Sequence, residues 1–153
     1  RLEVKEEANS AYWQAAKKYK LDELLTKYGK NIAIQGELMG NGIQGNNEKL
    51  TGLHFFIFDI WDIDKQKYYN FKEWEDFALN VLHILDRDKP NCVPFLACKK
   101  LSEFSTIEYI LKFAEGTSYN QESIREGVVF KSITLKPRIS FKVSNNEYLL
   151  KER

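Results

Sequence analysis

Four charges set in or beside apolar runs are the first candidates for chemistry. Glu37 stands between Gly36 and Leu38, and Asp59 follows Phe55-Phe56-Ile57-Phe58. Glu126-Gly127 precedes Val128-Val129-Phe130-Lys131, and Lys142 interrupts Ile139-Ser140-Phe141-Lys142-Val143. A charge taken out of water is costly unless it is paired or meets a ligand. A strand end reaching solvent accounts for any one of them alone. Four together, in strands expected to share one sheet, point to a lined site. Two further features name what such a site could hold. From Lys131 onward the chain carries Lys131, Lys136, Arg138, Lys142, Lys151 and Arg153 against Glu147 and Glu152, a local cationic run that suits phosphate. Aromatic residues make up 14% of the chain. Most belong to core packing, and a few could stack on bases.

The elements that must position these residues follow from periodicity. Asn9 to Tyr28 has an apolar stripe of Tyr12, Ala15, Ala16 and Tyr19 at helical spacing, which predicts one or two helices. Asn9 or Ser10 can cap the start, and Gly29 suits the end. Asn31 to Leu38 is a short strand leading into the glycine-rich loop Gly40 to Asn46. His54 to Ile63 is the strongest strand and reads as a central one, covered on both faces. Regular alternation places Phe56 and Phe58 on one face, with Phe55, Ile57 and Asp59 on the other. Lys67 to Tyr69 returns as a hairpin partner. Asn70 with Glu73 forms a capping box for a helix that buries Trp74, Phe77, Ala78, Val81, Leu82 and Leu85. A second box, Ser105 with Glu108, starts a helix ending near Gly116, its apolar face Ile107, Ile110, Leu111 and Ala114. Gly127 to Ser132 and Ile139 to Val143 are strands, and Asn145-Asn146 is a turn. This mixed order predicts an α+β fold with a mainly antiparallel sheet and flanking helices.

At 153 residues the chain fits one domain able to bury a core. A net charge of +1 excludes a global basic field as the means of holding nucleic acid. Cys92 and Cys98 suggest neither a zinc site nor a disulfide framework, and the expectation is therefore a reducing, cytoplasmic compartment. No apolar run reaches membrane-spanning length.

The ordered set Gly36-Glu37-Leu38, Phe58-Asp59-Ile60, Glu126-Gly127-Val128-Val129-Phe130-Lys131 and Ser140-Phe141-Lys142-Val143 resembles the later motifs of covalent nucleotidyltransferases. The loop Gly40 to Asn46 and the tail Ser144 to Lys151 are similar to those of ATP-dependent RNA ligases. The nearest branch is the nick-sealing ligases with an N-terminal oligonucleotide-binding domain. The resemblance runs from Arg1 to about Lys151 and implies an ATP-grasp-like ligase adenylation domain. These enzymes form lysyl-AMP from ATP, pass AMP to an RNA 5′-phosphate, and join that end to a 3′-hydroxyl, in RNA repair. By resemblance, Phe58 is the adenine platform and Glu37 accepts hydrogen bonds from the ribose hydroxyls. Asp59 and Glu126 order magnesium or manganese, or the lysine. Lys131 and Lys142 meet the triphosphate, with Lys142 at the α-phosphate. The implied partners are ATP and RNA ends or a nicked duplex, acted on by a monomer.

The family carries its nucleophile in a Lys-x-x-Gly motif upstream of all these motifs, followed by an arginine-bearing segment. Lys5, Lys27 and Lys30 lack that context, and Lys27-Tyr28-Gly29 has the wrong spacing. The resemblance therefore implies an N-terminally incomplete catalytic domain across residues 1–153. The nucleophile and the binding domain would lie outside it, and the chain alone would not adenylate itself. Two alternatives share the motifs: a non-catalytic nucleotide- or RNA-binding remnant, and another ligase or capping-type nucleotidyltransferase.

Overall fold

Lys20 is the residue that divides the first predicted helix in two. Its φ of 47° cannot continue a right-handed helix, so α1 (Ala11–Lys18) ends and α2 (Leu21–Tyr28) begins there. Gly29, at φ 68°, closes α2 by donating its N–H to the Leu25 carbonyl. The computed structural model describes residues 9–43, 45–82, 90–133 and 137–151. They fall into two compact units, the first formed by Arg1–Asn46 with Leu50–Val93 and the second by Asn47–Lys49 with Pro94–Arg153. Among the described residues no helix is long and apolar enough to cross a membrane.

The first unit is built on β2 (Leu53–Asp62), the apolar strand expected to be central. It pairs antiparallel with β1 (Ile32–Gly40) and with β3 (Lys67–Tyr68), and parallel with the short β4 (Asn91–Cys92). The parallel partner was not expected; two residues are too few to leave a period in the sequence. The capping box forms as predicted: Asn70 Oδ1 accepts from the Glu73 N–H, and Glu73 Oε2 accepts from the Asn70 N–H, both at 2.9 Å. It starts α3 (Phe71–Asn80). Leu24, Ile32, Ile57, Ile60, Tyr69, Phe77 and Leu82 form the buried core, with Trp74 and Val81 packed against it. The expected core residue Leu85 lies outside the described residues. Tyr28 binds this core twice, by an edge-on contact with Phe77 at 4.9 Å and by its hydroxyl 3.1 Å from that of Tyr69. Truncating a buried residue such as Ile57 or Phe77 to alanine costs about 2–5 kcal/mol.

The second unit pairs α4 (Ile107–Ala114) with the two-stranded ribbon β5 (Gly127–Lys131) and β6 (Ser140–Ser144). Thr106, not Ser105, caps α4: its Oγ1 accepts from the Tyr109 N–H at 3.1 Å. Ile107, expected on the apolar face, is 72% exposed, because this first residue of the helix precedes its packed turn; Ala114 is fully buried. Phe104 packs edge-on against Phe113 and Phe130, at 5.7 and 5.3 Å, and Phe130 stacks on Phe141 at 5.2 Å. The Asn145-Asn146 pair, expected as a turn, instead opens a helix, α5 (Asn146–Lys151). The fold is thus α+β and mainly antiparallel, but among the described residues the strands form two sheets rather than one.

Candidate functional site

Each unit presents its own set of the predicted residues. In the first, the β1–β2 ladder carries an irregularity at the place where the chemistry was expected. Gln35 pairs with Asp59, but the next residue, Gly36, pairs with Ile57, so the register skips Phe58. This is a β-bulge, and it inverts the alternation on either side of it. Residues paired across an antiparallel ladder share a face. Asp59 therefore lies on the face of Gln35, Glu37 and Phe56, while Ile57 and Phe55 lie on the opposite face, with Gly36 and Leu38. The regular alternation expected from sequence, with Asp59 beside Ile57, is corrected by this bulge. Its consequence is to bring Glu37 and Asp59 to one face. Glu37 is exposed, Asp59 is 9% exposed, and Phe58 is half-buried.

Gly36 explains why a glycine precedes Glu37. A Cβ there would lie 2.4 Å from the Phe55 ring and 2.5 Å from the Phe56 carbonyl oxygen. No side chain fits where the two strands close on the bulge. Beyond Glu37, Gly40 meets Gly52 so closely that a Cβ on Gly40 would lie 1.7 Å from the Gly52 oxygen. Asn41 locks this neck, donating its N–H to the Gly52 carbonyl at 3.1 Å and accepting the Gly52 N–H on Oδ1 at 2.6 Å.

In the second unit the ribbon sorts the residues cleanly. Val128 pairs with Val143 and Phe130 with Phe141, so these four share the face that meets the aromatic cluster. Val129 pairs with Lys142 and Lys131 with Ser140, so both lysines share the other face. Glu126, just before β5, accepts a hydrogen-bonded ion pair from Lys142 Nζ. The pair is open to water, with side-chain exposures of 54% for Glu126 and 45% for Lys142. At that exposure it contributes at most about 1 kcal/mol to stability, so an incoming ligand can open it at little cost. Val129, 52% exposed beside Lys142, adds apolar surface to this face, and alternation along β5 was the signal that could have found it.

Glu126 is held by unusual backbone geometry. Gly127, at φ 156°, crosses so near β6 that a Cβ would lie 2.2 Å from the Val143 oxygen. Arg125 turns away from the site: Nε donates to the Ala114 carbonyl at 3.0 Å and Nη2 to the Phe113 carbonyl at 2.6 Å. Those carbonyls end α4 without helical partners, and a cation is favoured there.

Thus Glu37 and Asp59 come together on one sheet, and Glu126, Lys131 and Lys142 on the other. The expectation that all shared one sheet is corrected, since β1–β2 and β5–β6 are separate ladders. Among the described residues no three His, Cys, Asp or Glu side chains gather as a metal cluster. Magnesium does not require one, being held by one or two carboxylates together with substrate phosphates. The sequence does contain one Lys-x-x-Gly, Lys49-Leu50-Thr51-Gly52. It follows Glu37 instead of preceding it, out of family order. Lys49 stands at φ 48° just after the Asn47-Glu48 turn, and its Nζ donates to the Glu122 carbonyl at 3.4 Å. Cys92, half-buried, has its thiol pushed up to about 11 by burial, so it is no nucleophile at neutral pH.

No curated protein sequence matches the chain. Solved structures do. A mutant of Naegleria gruberi RNA ligase without ligand is 40% identical with a TM-score of 0.84, over 97% of this chain and 42% of that one. The same ligase with pyrophosphate is 39% identical at 0.85, over 98% and 43%. A glutamate-to-alanine mutant with ATP and manganese is 39% identical at 0.86, over 97% and 42%. The chain therefore spans less than half the length of these relatives. The RNA ligase family model matches residues 2–144, and the chain belongs to the RNA ligase family.

Proposed function

We propose that residues 1–153 are part of the nucleotidyltransferase domain of an ATP-dependent RNA ligase that seals RNA 5′-phosphate and 3′-hydroxyl ends in RNA repair. The observation that carries this reading is the open Glu126–Lys142 pair beside Lys131 on one ribbon face. A carboxylate and an ammonium group exposed to water and weakly held by each other, with a second lysine on the same face of the ribbon, suit a polyphosphate with its cation. Similarity to a ligase solved with ATP and manganese, and with pyrophosphate, agrees with that chemistry.

In this reading a lysine attacks the α-phosphate of ATP and pyrophosphate leaves. The AMP passes to the RNA 5′-phosphate, and the 3′-hydroxyl then displaces AMP. Each step is a displacement at phosphorus, so the protein supplies position and charge. Lys142 neutralises the α-phosphate, and Lys131 the phosphates beyond it. Glu37 accepts from the ribose hydroxyls, and Phe58 offers the adenine a flat face. Glu126 and Asp59, each within its own unit, are the candidate carboxylates for magnesium or manganese, which when bound would supply neutralisation of phosphate charge. The natural substrates are RNA ends or a nicked duplex, and the protein works as a monomer in the cytoplasm, where its two free thiols are kept reduced.

The test is Glu126→Ala in the full-length protein, assayed for sealing of a nicked RNA duplex with ATP or GTP. Removing one well-placed charged group costs about 2–4 kcal/mol of transition-state stabilisation. Sealing at the parental rate would refute the site. Labelling by GTP in place of ATP would favour a capping-type enzyme, and ATP binding without any sealing a non-catalytic remnant.

A further inference from the structure

We propose that Asn145 is a positioning residue for Glu126, an inference that rests on the ligase reading above. Its side chain is fully buried at 0% exposure, unusual for an asparagine in a small ribbon unit. A buried carboxamide must satisfy both its ends, and this one does so across two elements. Nδ2 donates to the Arg125 carbonyl at 3.2 Å, and Oδ1 accepts from the Glu147 N–H at 3.0 Å. The Asn145 backbone N–H donates to the Glu126 carbonyl at 2.8 Å.

Arg125 and Glu126 contribute the two carbonyls that flank the Glu126 Cα. Tying both to one residue fixes the two peptide planes that Cα joins, and with them the direction of the Glu126 Cα–Cβ bond from which the carboxylate reaches Lys142. Asn145 lies three residues beyond Lys142, at the end of the strand that carries it. One residue therefore sets the Glu126 backbone against the strand bearing its lysine partner. Gly127, pressed against the Val143 oxygen, leaves no room for the strand start to move inward.

Only asparagine meets the demand at this length. Aspartate can accept from Glu147 but cannot donate to Arg125, and serine can cap α5 but cannot span to the Arg125 carbonyl. Asn145→Ser thus keeps the helix cap and removes the bridge. A side chain that only stabilised the fold would lower activity through the folded fraction, whatever occupies position 126. A positioning residue acts through the carboxylate, so its effect should vanish when the carboxylate is gone.

The experiment is a double-mutant cycle in the full-length protein, measuring nick sealing and the magnesium concentration for half-maximal rate. Asn145→Ser is expected to slow sealing at least tenfold and raise the magnesium midpoint at least threefold, with unfolding close to wild type. In the Glu126→Ala background it should change the rate less than twofold. If Glu126→Ala is crippled but Asn145→Ser is harmless, or its loss multiplies that of Glu126→Ala, the inference is overturned and the ligase reading survives. If Glu126→Ala seals normally, the ligase reading fails and takes the inference with it. Asn145→Asp is the second variant, and failure of both to fold would assign Asn145 a purely structural role and overturn the proposal.

Discussion

Replacing Phe58 by leucine separates a base platform from a core ring, because the bulge takes Phe58 out of the paired ladder. The β1–β2 register passes from Asp59 to Ile57 without it, and the ring is half-buried. Leucine keeps apolar bulk, so the swap costs less than about 1.5 kcal/mol of stability. What it removes is the flat π face. Stacking of a base on an aromatic ring is worth about 1–3 kcal/mol. At about 1.4 kcal/mol per tenfold, the ATP needed for half-maximal adenylation rises roughly 5- to 150-fold. The control is Phe77→Ala. Phe77 is 1% exposed in the core of the first unit, and removing a buried phenylalanine costs about 3–5 kcal/mol. That variant should unfold early in urea, yet its folded fraction should use ATP as the parent does. The assay is covalent AMP labelling of the full-length enzyme against ATP concentration, beside urea unfolding of each variant. A normally folded Phe58→Leu enzyme with unchanged ATP dependence would remove Phe58 from the site.

Three further outcomes follow from the structure. Gly36→Ala should destabilise the β1–β2 ladder severely, since its Cβ meets the Phe56 carbonyl oxygen at 2.5 Å; wild-type melting would show that the strands can part there. The 153-residue chain incubated with ATP and magnesium should gain no AMP-sized mass, and an adduct on Lys49 would make Lys49-Leu50-Thr51-Gly52 the nucleophile motif after all. Stability should be lost in acid. The Lys65 N–H, donating at 2.9 Å, and the Lys65 ammonium hold the Asp62 carboxyl below its ordinary 3.8. Burial pushes Glu73 up, but the Asn70 N–H and the Lys67 ammonium bring it net below its ordinary 4.5. Groups depressed on folding stabilise above their unfolded values and lose that contribution as pH falls through the folded ones. The urea midpoint should therefore drop below pH 4.5, and less steeply in Asp62→Asn; an unchanged acid profile in that variant would show that the carboxylate contributes nothing.

The sequence carried the elements better than their joints. Asn70 and Glu73 stand before one strong periodic run, so spacing alone located the cap and the helix. At Ser105-Thr106 two hydroxyl residues adjoin, and spacing to an acid chose Ser105 where the backbone uses Thr106. Asn145-Asn146 matched a turn because asparagine serves turns and helix starts alike; burial of Asn145 decides between them, and burial has no local signature. The bulge at Phe58 was illegible for a similar reason. It arises from pairing between strands about twenty residues apart, and the run Phe55-Phe56-Ile57-Phe58 offers no polar alternation to betray the slip. The candidate residues were found because charges in apolar runs are conspicuous. Their division between two ladders was not, since periodicity tells what a strand faces and not which strand lies beside it.

The neck between Gly40 and Gly52 has an evolutionary consequence. Two glycine backbones in contact, sealed by Asn41, end the β1–β2 ladder at a fixed point, so the length of chain beyond it has no lever on the register behind it. The far part of this loop is not free, because Ser123 Oγ donates to the Asn47 carbonyl at 2.6 Å and the Tyr119 N–H donates to Glu48 Oε2 at 2.5 Å. There is room at Gly42 and at Gly45, where a Cβ would meet nothing within 4 Å. Lineages of this protein should therefore gain and lose residues between positions 42 and 45, while the neck and the 47–49 segment keep their length. The same stretch is where an engineered tag or a circular permutation could enter without shifting Glu37 against Asp59.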